Sequence, residues 1–258
     1  MEAYERLAAA RAKGRATGLC YIRNIFTDFM EMHGDRRFGD DRAIVAGIAR
    51  LKGMPVTVIA HEKGDTVKEK VSRNFGSAHP EGYRKALRQM KLAEKFGRPV
   101  VCFVDTAGAF CGISAEERGE GEAIAENLME MMTLKTPIVS VFVGEGGSGG
   151  ALALAVADEV WMLENACYSV ISPEGCASIL WKDSSKVKEA ADCLKMTADD
   201  LLRLHVIEKI VPEPVPFEAV YKTLQEELYR TMMQKKAKDT DVLLQERYDR
   251  FRRIGARG

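Results

Sequence analysis

The sequence lacks several features that would assign it to a class at once. Its 258 residues hold 38 Lys and Arg against 38 Asp and Glu, so the formal net charge is zero. Without a positive excess, bulk electrostatic attraction to nucleic acid or to an anionic membrane is not expected. No apolar run approaches the roughly 18 residues of a membrane span. Residues 1–6 are charged and no apolar segment follows, so no secretory signal is expected either.

Cysteine is scarce and scattered. The six cysteines form no C-x-x-C pair, so neither a zinc ribbon nor a redox dithiol is expected in this chain, and no metal site is predicted. Several lie in apolar runs, as at 101–103, which is typical of small buried hydrophobic residues. Free thiols suit a reducing compartment, so a cytoplasmic location is predicted.

What is present is the composition of a folded globular protein, with 46% hydrophobic and 29% charged residues. Two apolar runs joined by Lys52, Gly53 and Met54 predict a hairpin of strands over 43–51 and 55–61. After residue 80, helical patterns alternate with short apolar runs, which predicts βαβ units with helices packed on a sheet. The further strands are expected at 99–104, 137–143, 160–163 and 168–171.

The remaining segments give an expected domain organisation. An apolar stripe from Ile22 to Met30 predicts one helix that ends near Gly34, and residues 62–79 show no period and predict a loop. Helices are expected at 80–97, 115–134 and 151–157, and again in the tail. We expect a polar, helical extension over 1–18, one main domain over 19–215 and C-terminal helices over 216–258.

The segment 144–150 has five glycines in seven residues and lies between an expected buried strand and an expected helix. The first amides of a helix have no intrahelical acceptor, and glycine lets a ligand approach them closely. The alternative without a functional role is a tight turn between strand and helix, in which the glycines serve packing alone. The segment is therefore a candidate binding site for negative charge.

Two enzyme classes match this segment formally. Gly144, Gly146 and Gly149 fit the dinucleotide fingerprint, with Glu164 in the place of the ribose-binding acid, which would indicate a nicotinamide-dependent oxidoreductase. Gly146, Ser148 and Gly150 fit the nucleophile elbow of a serine hydrolase. The later residues that could complete such a triad are Asp192, Asp199, Asp200 and His205.

A third interpretation needs no nucleophile and no base from the protein. Paired backbone amides could form an oxyanion hole for the oxygen of an enolate. A phosphate-binding P-loop is excluded, since no Lys-Ser or Lys-Thr follows the glycines. The glycine pattern by itself leaves the three interpretations open.

The wider sequence resembles one family over about residues 20–254. The segments that carry the resemblance are NFG at 74–76, PEGYRKA at 80–86, FVDTAGA at 103–109, AEERG at 115–119, GEGGSGGA at 144–151 and YSVISPEGCASILW at 168–181. In this order they resemble the carboxyltransferase α subunit of bacterial multi-subunit acetyl-CoA carboxylase. The last segment is far more specific than any glycine pattern.

The resemblance implies a crotonase-like α/β fold, in which repeated ββα units form a superhelical core. It implies transfer of a carboxyl group from carboxybiotin to acetyl-CoA, giving malonyl-CoA for fatty-acid synthesis. The biotin would be carried by the biotin carboxyl carrier protein, which biotin carboxylase loads, and not by this chain. A β subunit of related fold, which holds the family's zinc ribbon, would complete a heterotetramer of two α and two β subunits.

The resemblance also assigns the site. Gly149 and Gly150 would form the oxyanion hole for the ureido oxygen of biotin, while the biotin nitrogen takes the methyl proton of the acetyl group. The expected substrate-binding residues are Gly146, Gly147, Ala107, Gly108 and Ala109. The last three would form a wall that faces the glycines. A non-catalytic scaffold of the same fold is the alternative from another class.

Three further expectations concern the surroundings of this site. Asp105 is expected to cap a turn and not to act in catalysis. Lys63, Lys68, Lys70 and Arg73 predict a solvated basic loop, with contact to CoA phosphates or to the carrier protein as the alternative. Compared with the long family members, the chain is expected to lack their additional N-terminal helical segment. It also reads Asp-Thr-Ala-Gly-Ala-Phe over 105–110, where many members have Asp-Thr-Pro-Gly-Ala-Tyr. The second difference keeps the glycine, so little chemical change is expected.

Overall fold

The computed structural model describes residues 1–256 and contains helices and strands in alternation. The helices are α1 Ala3–Ala10, α2 Gly18–Ile25, α3 Val67–Ser72, α4 Pro80–Lys95, α5 Ile113–Glu117, α6 Glu120–Thr133, α7 Ser148–Leu152, α8 Pro173–Leu180, α9 Val187–Leu194, α10 Ala198–Arg203, α11 Ala219–Lys236 and α12 Thr240–Arg253. The strands are β1 Thr27–Glu31, β2 Ile44–Leu51, β3 Met54–His61, β4 Val100–Thr106, β5 Ile138–Gly147, β6 Glu159–Leu163, β7 Cys167–Ser169 and β8 Lys209–Val211. Within these residues, no helix combines the length and the apolar character that crossing a bilayer would demand.

The eight strands form one mixed sheet in the order β1-β2-β3-β4-β5-β6-β8, and β7 pairs with the end of β5. The first two pairings are antiparallel and the others are parallel. The predicted hairpin is confirmed, with Leu51 opposite Met54. Its two turn residues, Lys52 and Gly53, both have positive φ, as the turns that match strand twist require.

The core lies where the parallel strands are covered on both faces. Every residue of β4 is buried, and so is all of β5 except its last residue, which explains their continuous apolar sequence. Helices α4 and α6 pack against each other, and α4 also packs against β2 and β3. Helices α2 and α11 pack against each other, and α2 also packs against β3 and β4. This arrangement fixes the ends of β4 and β5, where the candidate site lies.

The helix predicted from Ile22 to Gly34 is wrong in its second half. Helix α2 ends at Ile25, and the chain becomes strand β1, which pairs with β2 at the edge of the sheet. The apolar stripe misled because Met30 is not a core residue: its side chain is 64% exposed. Gly34 lies in the loop after β1 and ends no helix.

Three other boundaries also differ from expectation. Residues 62–79 hold the short helix α3, which begins with a capping box between Thr66 and Glu69. The helix expected over 115–134 is two helices, because Gly119 takes φ 80° between them. Strand β5 continues through Gly147, so α7 starts at Ser148 and ends at Leu152, not over 151–157.

Both ends of the described chain are tied to the sheet. In α1 the side chain of Leu7 is buried, and just after this helix Arg11 and Arg15 form ion pairs with Glu145 and Glu213. Near the other end, α12 is anchored by Arg247, which is fully buried. Its guanidinium binds the carboxylate of Asp158 and the backbone carbonyls of Met131, Leu134 and Thr136.

Candidate active site

The site lies at the carboxyl ends of β4 and β5. Parallel strands end at the same edge of a sheet, so the loop after β4 and the helix after β5 start side by side. Here Thr106 pairs with Gly146 after a register shift, which brings residues 107–109 opposite the junction of β5 and α7.

Two glycines of the junction touch this loop. A β-carbon placed on Gly147 would lie 1.9 Å from the carbonyl oxygen of Ala107. One placed on Gly150 would lie 2.4 Å from the amide nitrogen of Ala109 and 2.8 Å from the carbonyl carbon of Gly108. No side chain fits at either position unless the backbone moves. The structure thus brings together the two segments that the sequence proposed as facing walls.

Gly149 has different surroundings. The nearest atoms to a β-carbon placed there belong to the side chain of Ile124, at 3.7 Å. Together with Ser148, this glycine lines a cavity of about 450 Å³. The other residues of the cavity are largely apolar: Leu152, Ala155, Val160, Tyr168, Ser169, Val170, Leu194, Leu201, Val206, Arg250, Phe251 and Ile254.

The first backbone amides of α7 have no hydrogen-bond acceptor in residues 1–256. Helix α7 has no side-chain N-cap, and the first amides of a helix have no intrahelical acceptor. Gly149 is half-buried and Gly150 is buried. In the facing loop the amide of Ala109 donates to no backbone acceptor within residues 1–256, whereas its neighbours Gly108 and Phe110 both do find protein acceptors. The backbone of Gly150 therefore lies against that of Ala109, and neither amide has a protein acceptor in residues 1–256.

The glycines earlier in the segment make room for protein atoms. A β-carbon on Gly144 would lie 2.3 Å from Oδ1 of Asp105, and one on Gly146 would lie 2.2 Å from the ring of Phe142. Asp105 accepts a hydrogen bond from the amide of Glu145 at 2.9 Å and pairs with Nζ of Lys63 at 2.6 Å. The carboxylate thus ties β4 to β5, whereas the sequence predicted that it caps a turn.

The basic residues of 63–73 do not form one solvated loop. Lys63 is committed to Asp105, and the Arg73 guanidinium donates to the backbone carbonyl of Arg42 at 2.7 Å. Lys68 and Lys70 belong to helix α3, and the side chain of Lys68 is exposed. The expectation of a solvated face fails for Lys63.

Two buried polar side chains beneath the glycines were not found from sequence. The hydroxyl of Tyr83 lies 2.8 Å from the position of a β-carbon on Gly150, and burial raises the pKa of this phenol well above its usual value. The ring of His61 lies edge-on to Tyr83, and burial together with the nearby Lys63 lowers its pKa to about 3. Both groups are neutral at physiological pH. Tyr83 falls on the apolar face of α4, so its sequence context predicted only a core residue.

The structure lacks the site that a nicotinamide-dependent oxidoreductase or a serine hydrolase would need in this segment. Gly144 and Gly146 lie within β5 against Asp105 and Phe142, which leaves no turn there for a pyrophosphate. Ser148 is exposed and has φ 50°, a strained position like that of an elbow serine. Within residues 1–256 its hydroxyl forms no hydrogen bond to a histidine or a carboxylate.

The proposed triad partners have other places in the fold. His205 lines a separate cavity with Leu202 and Ile207. Asp199 pairs with Arg6, and Asp200 accepts from Thr197 at the start of α10. Over the described part of the chain, no group of three His, Cys, Asp or Glu side chains is arranged to hold a metal ion.

Comparison with solved structures shows the fold. The chain superimposes on transcarboxylase 12S with a TM-score of 0.68 and 19% identity, covering 87% of this chain and 45% of that one. On the β subunit of P. aeruginosa geranyl-CoA carboxylase the TM-score is 0.69 and the identity 16%, covering 93% and 46%. The chain thus spans less than half of each. The likeness confirms the crotonase-like fold predicted from the sequence.

Sequence relatives define the family. The acetyl-coenzyme A carboxylase carboxyl transferase subunit alpha of Ruminiclostridium cellulolyticum is 64% identical over 256 residues, which is 99% of this chain and 98% of that protein. A protein of Natranaerobius thermophilus, named acetyl-coenzyme A carboxylase carboxyl transferase subunits beta/alpha, is 56% identical over 98% of this chain. The match covers 42% of that longer protein. The family described as acetyl co-enzyme A carboxylase carboxyltransferase-like matches residues 1–255. The chain belongs to the family of acetyl-CoA carboxylase carboxyltransferase α subunits.

Proposed function

We propose that this chain is the α half of a carboxyltransferase that moves the carboxyl group of carboxybiotin to acetyl-CoA and yields malonyl-CoA. Family membership supports the reaction. The observation that carries its location is the contact between Gly150 and the Gly108–Ala109 backbone. It brings together amides that have no protein acceptor, and the adjacent Gly149 lines an apolar cavity. Such donors fit a reaction in which negative charge develops on a carbonyl oxygen.

In this proposal the amides of Gly149 and Gly150 bind the ureido oxygen of biotin, and residues 107–109 form the opposite wall. Gly147 lets the two walls meet, and Gly146 makes room for the ring of Phe142. A donor that is fixed before the reaction needs no reorganisation as charge builds up, and one such donor is worth about 3 kcal/mol in a water-poor site. The amide of Ala109, on the opposite wall, is a further donor in this proposal.

The cavity beside Gly149 suits the biotin ring system. A bicyclic group with hydrocarbon edges and one polar end matches apolar walls with amides at one side. When bound, carboxybiotin supplies the carboxyl group and, after its release, a nitrogen that accepts the methyl proton of the acetyl group.

The chain itself offers no general base at this site. Tyr83, whose hydroxyl lies next to Gly150, and its neighbour His61 are fully buried. Their pKa values keep both neutral and unsuited to taking a proton near pH 7. Asp105 is occupied by Lys63 and by a backbone amide. The contribution of this chain is therefore to orient the biotin end and to stabilise charge on its oxygen.

The partners follow from the same proposal. A β subunit would hold the acetyl-CoA thioester and complete a heterotetramer, and the family's zinc would lie in that subunit. The N. thermophilus relative, whose name joins beta and alpha, supports close association of the two. The biotin carboxyl carrier protein would deliver the biotin that biotin carboxylase has loaded, in the cytoplasm.

The test uses this chain with the β subunit of the same organism. Alone, the chain is expected to be inactive; mixed with the β subunit and free biotin, it should decarboxylate malonyl-CoA. Gly150→Val should abolish this activity, because the side chain would displace the facing loop, while β-subunit binding persists. Inactivity of the wild-type mixture with a folded, bound β subunit contradicts the proposal and favours a scaffold. Labelling of Ser148 by a fluorophosphonate would favour a hydrolase.

A further inference from the structure

Glu120 is a carboxyl group buried without a partner. It starts helix α6, its exposed fraction is only 4%, and neither of its carboxyl oxygens has a hydrogen-bond partner in residues 1–256. An ionised carboxylate in such a place carries a large desolvation cost, because nothing replaces its bound water. The proposed reaction assigns this residue no role.

The charged groups around Glu120 add to that cost. Those that face it are Glu81 and Arg84 from α4, Asp41 from the loop before β2 and Glu116 from α5, with the phenol of Tyr83 also nearby. The cations are already engaged: Arg84 pairs with Asp35 at 2.8 Å, and Arg118 pairs with Glu81 at 2.7 Å. Burial first, and then the neighbouring carboxylates, raise the pKa of Glu120 to about 8. It is therefore mainly a neutral acid at pH 7.

Glu120 is coupled to the site by two packed side chains. Residues four apart on a helix are neighbours on one face, so Ile124 lies one turn further along α6 and fills the space next to Gly149. The second link is Tyr83, whose phenol feels the charge of Glu120 and whose hydroxyl lies against Gly150. Since Tyr83 is uncharged and fully buried, a charge on Glu120 would be weakly screened along this route to Gly150.

We propose that Glu120 is a positioning residue whose neutral form keeps negative charge away from the Gly149–Gly150 amides, so that its ionisation switches the site off at alkaline pH. A carboxylate behind the donors opposes the negative charge that they must stabilise on the substrate oxygen. Glu120 is enclosed and touches no substrate, so it acts through Tyr83 and Ile124. This inference rests on the proposed function of the glycines.

The experiment compares wild type, Glu120→Gln and the control Glu122→Gln, each assembled with the β subunit, in malonyl-CoA decarboxylation from pH 6 to pH 10. Glu122 lies on the same helix but is exposed. One unit above its pKa a group is about nine-tenths ionised, so at pH 9 Glu120→Gln should exceed wild type about tenfold in kcat. The control should keep the wild-type profile, and circular dichroism should show all three folded throughout.

A second readout does not depend on activity. The infrared C=O stretch of a protonated carboxylic acid should be present in the wild-type chain at pH 7, weaken above pH 8 and be lost in Glu120→Gln. Absence of that difference, or an alkaline limb that Glu120→Gln leaves unchanged in a folded, active enzyme, overturns this inference alone. Inactivity of every variant at every pH overturns the proposed function and the inference with it.

Discussion

Gly149 and Gly150 are neighbours in the same helical turn, yet the structure requires glycine at only one of them. At Gly150 a β-carbon would meet the backbone of the facing loop at 2.4 Å, and backbone cannot rotate away as a side chain can. At Gly149 it would meet only Ile124, at an ordinary 3.7 Å. The comparison teaches that neighbouring glycines in one motif can be unequal: Gly150 permits contact between two walls, whereas no contact in the structure requires glycine at 149.

The largest effect is expected for Gly150→Ala. The added methyl group must push residues 108–109 away, which separates the two sets of amides, so decarboxylation with the β subunit should fall about 100-fold or more. Tyr83→Phe should not rescue it: the phenol oxygen is removed, but the amide of Ala109 still obstructs the methyl group. Recovery of activity in the double variant would show that the side chain, and not the backbone, sets the requirement at Gly150.

A smaller effect, on stability, is expected from the carboxyl group behind the glycines. The pKa of Glu120 is raised in the folded chain, so between about pH 4.5 and pH 8 the folded state holds a proton that the unfolded state has lost. Stability from this group therefore falls as pH rises through that window. Glu120→Gln should raise Tm at pH 8 and leave it nearly unchanged at pH 4.5. An equal shift at both pH values would argue for a change in packing instead of charge.

Gly149→Ala should change little. Alanine is the better helix former, so the free energy of unfolding should rise by up to about 1 kcal/mol, while decarboxylation should stay within about threefold of wild type. Thermal unfolding and kinetics on the same preparation measure both. A loss as large as that of Gly150→Ala would contradict the comparison, since it would mean that a β-carbon at 149 enters the binding space.

The smallest effect is expected for Ser148→Ala. Ser148 lies beside both glycines, but no base binds its hydroxyl, so its removal should leave decarboxylation unchanged. Its positive φ disfavours any residue with a β-carbon, and alanine is no worse in this respect than serine. A loss of activity beyond tenfold would revive a chemical role for this serine.

Much of the fold could be predicted from local pattern. The hairpin of β2 and β3, the buried strands β4 and β5 and the tail helices follow from periodicity and turn residues. The error at β1 has a physical cause. Only Phe29 and Met30 of the apolar stripe fall in this five-residue segment, too few to distinguish a helix from a strand, and pairing with β2 decides for the strand. The residues of the capping box of α3 are present in the sequence, but the segment has no buried apolar face, so its periodicity did not predict a helix.

The site was predictable only in part. The glycines and residues 107–109 could be named from motif resemblance, since both follow strands. The ion pair of Lys63 with Asp105, the hydroxyl of Tyr83 at Gly150 and the unpaired Glu120 join positions that are far apart in the chain. No local pattern reports such contacts, because their energies depend on which surfaces the fold brings together.

By itself the sequence determined the family, the succession of strands and helices, and the segment whose backbone is free of side chains. Local propensity and motif identity are enough for these features, because each feature depends on a few consecutive residues. Tertiary structure alone decided that Gly150 touches the loop after β4, that Gly149 opens on an apolar cavity, and that a carboxyl group behind them is held neutral. Contact and desolvation arise only when distant segments exclude water together, and for that reason these features could be seen only in the folded chain.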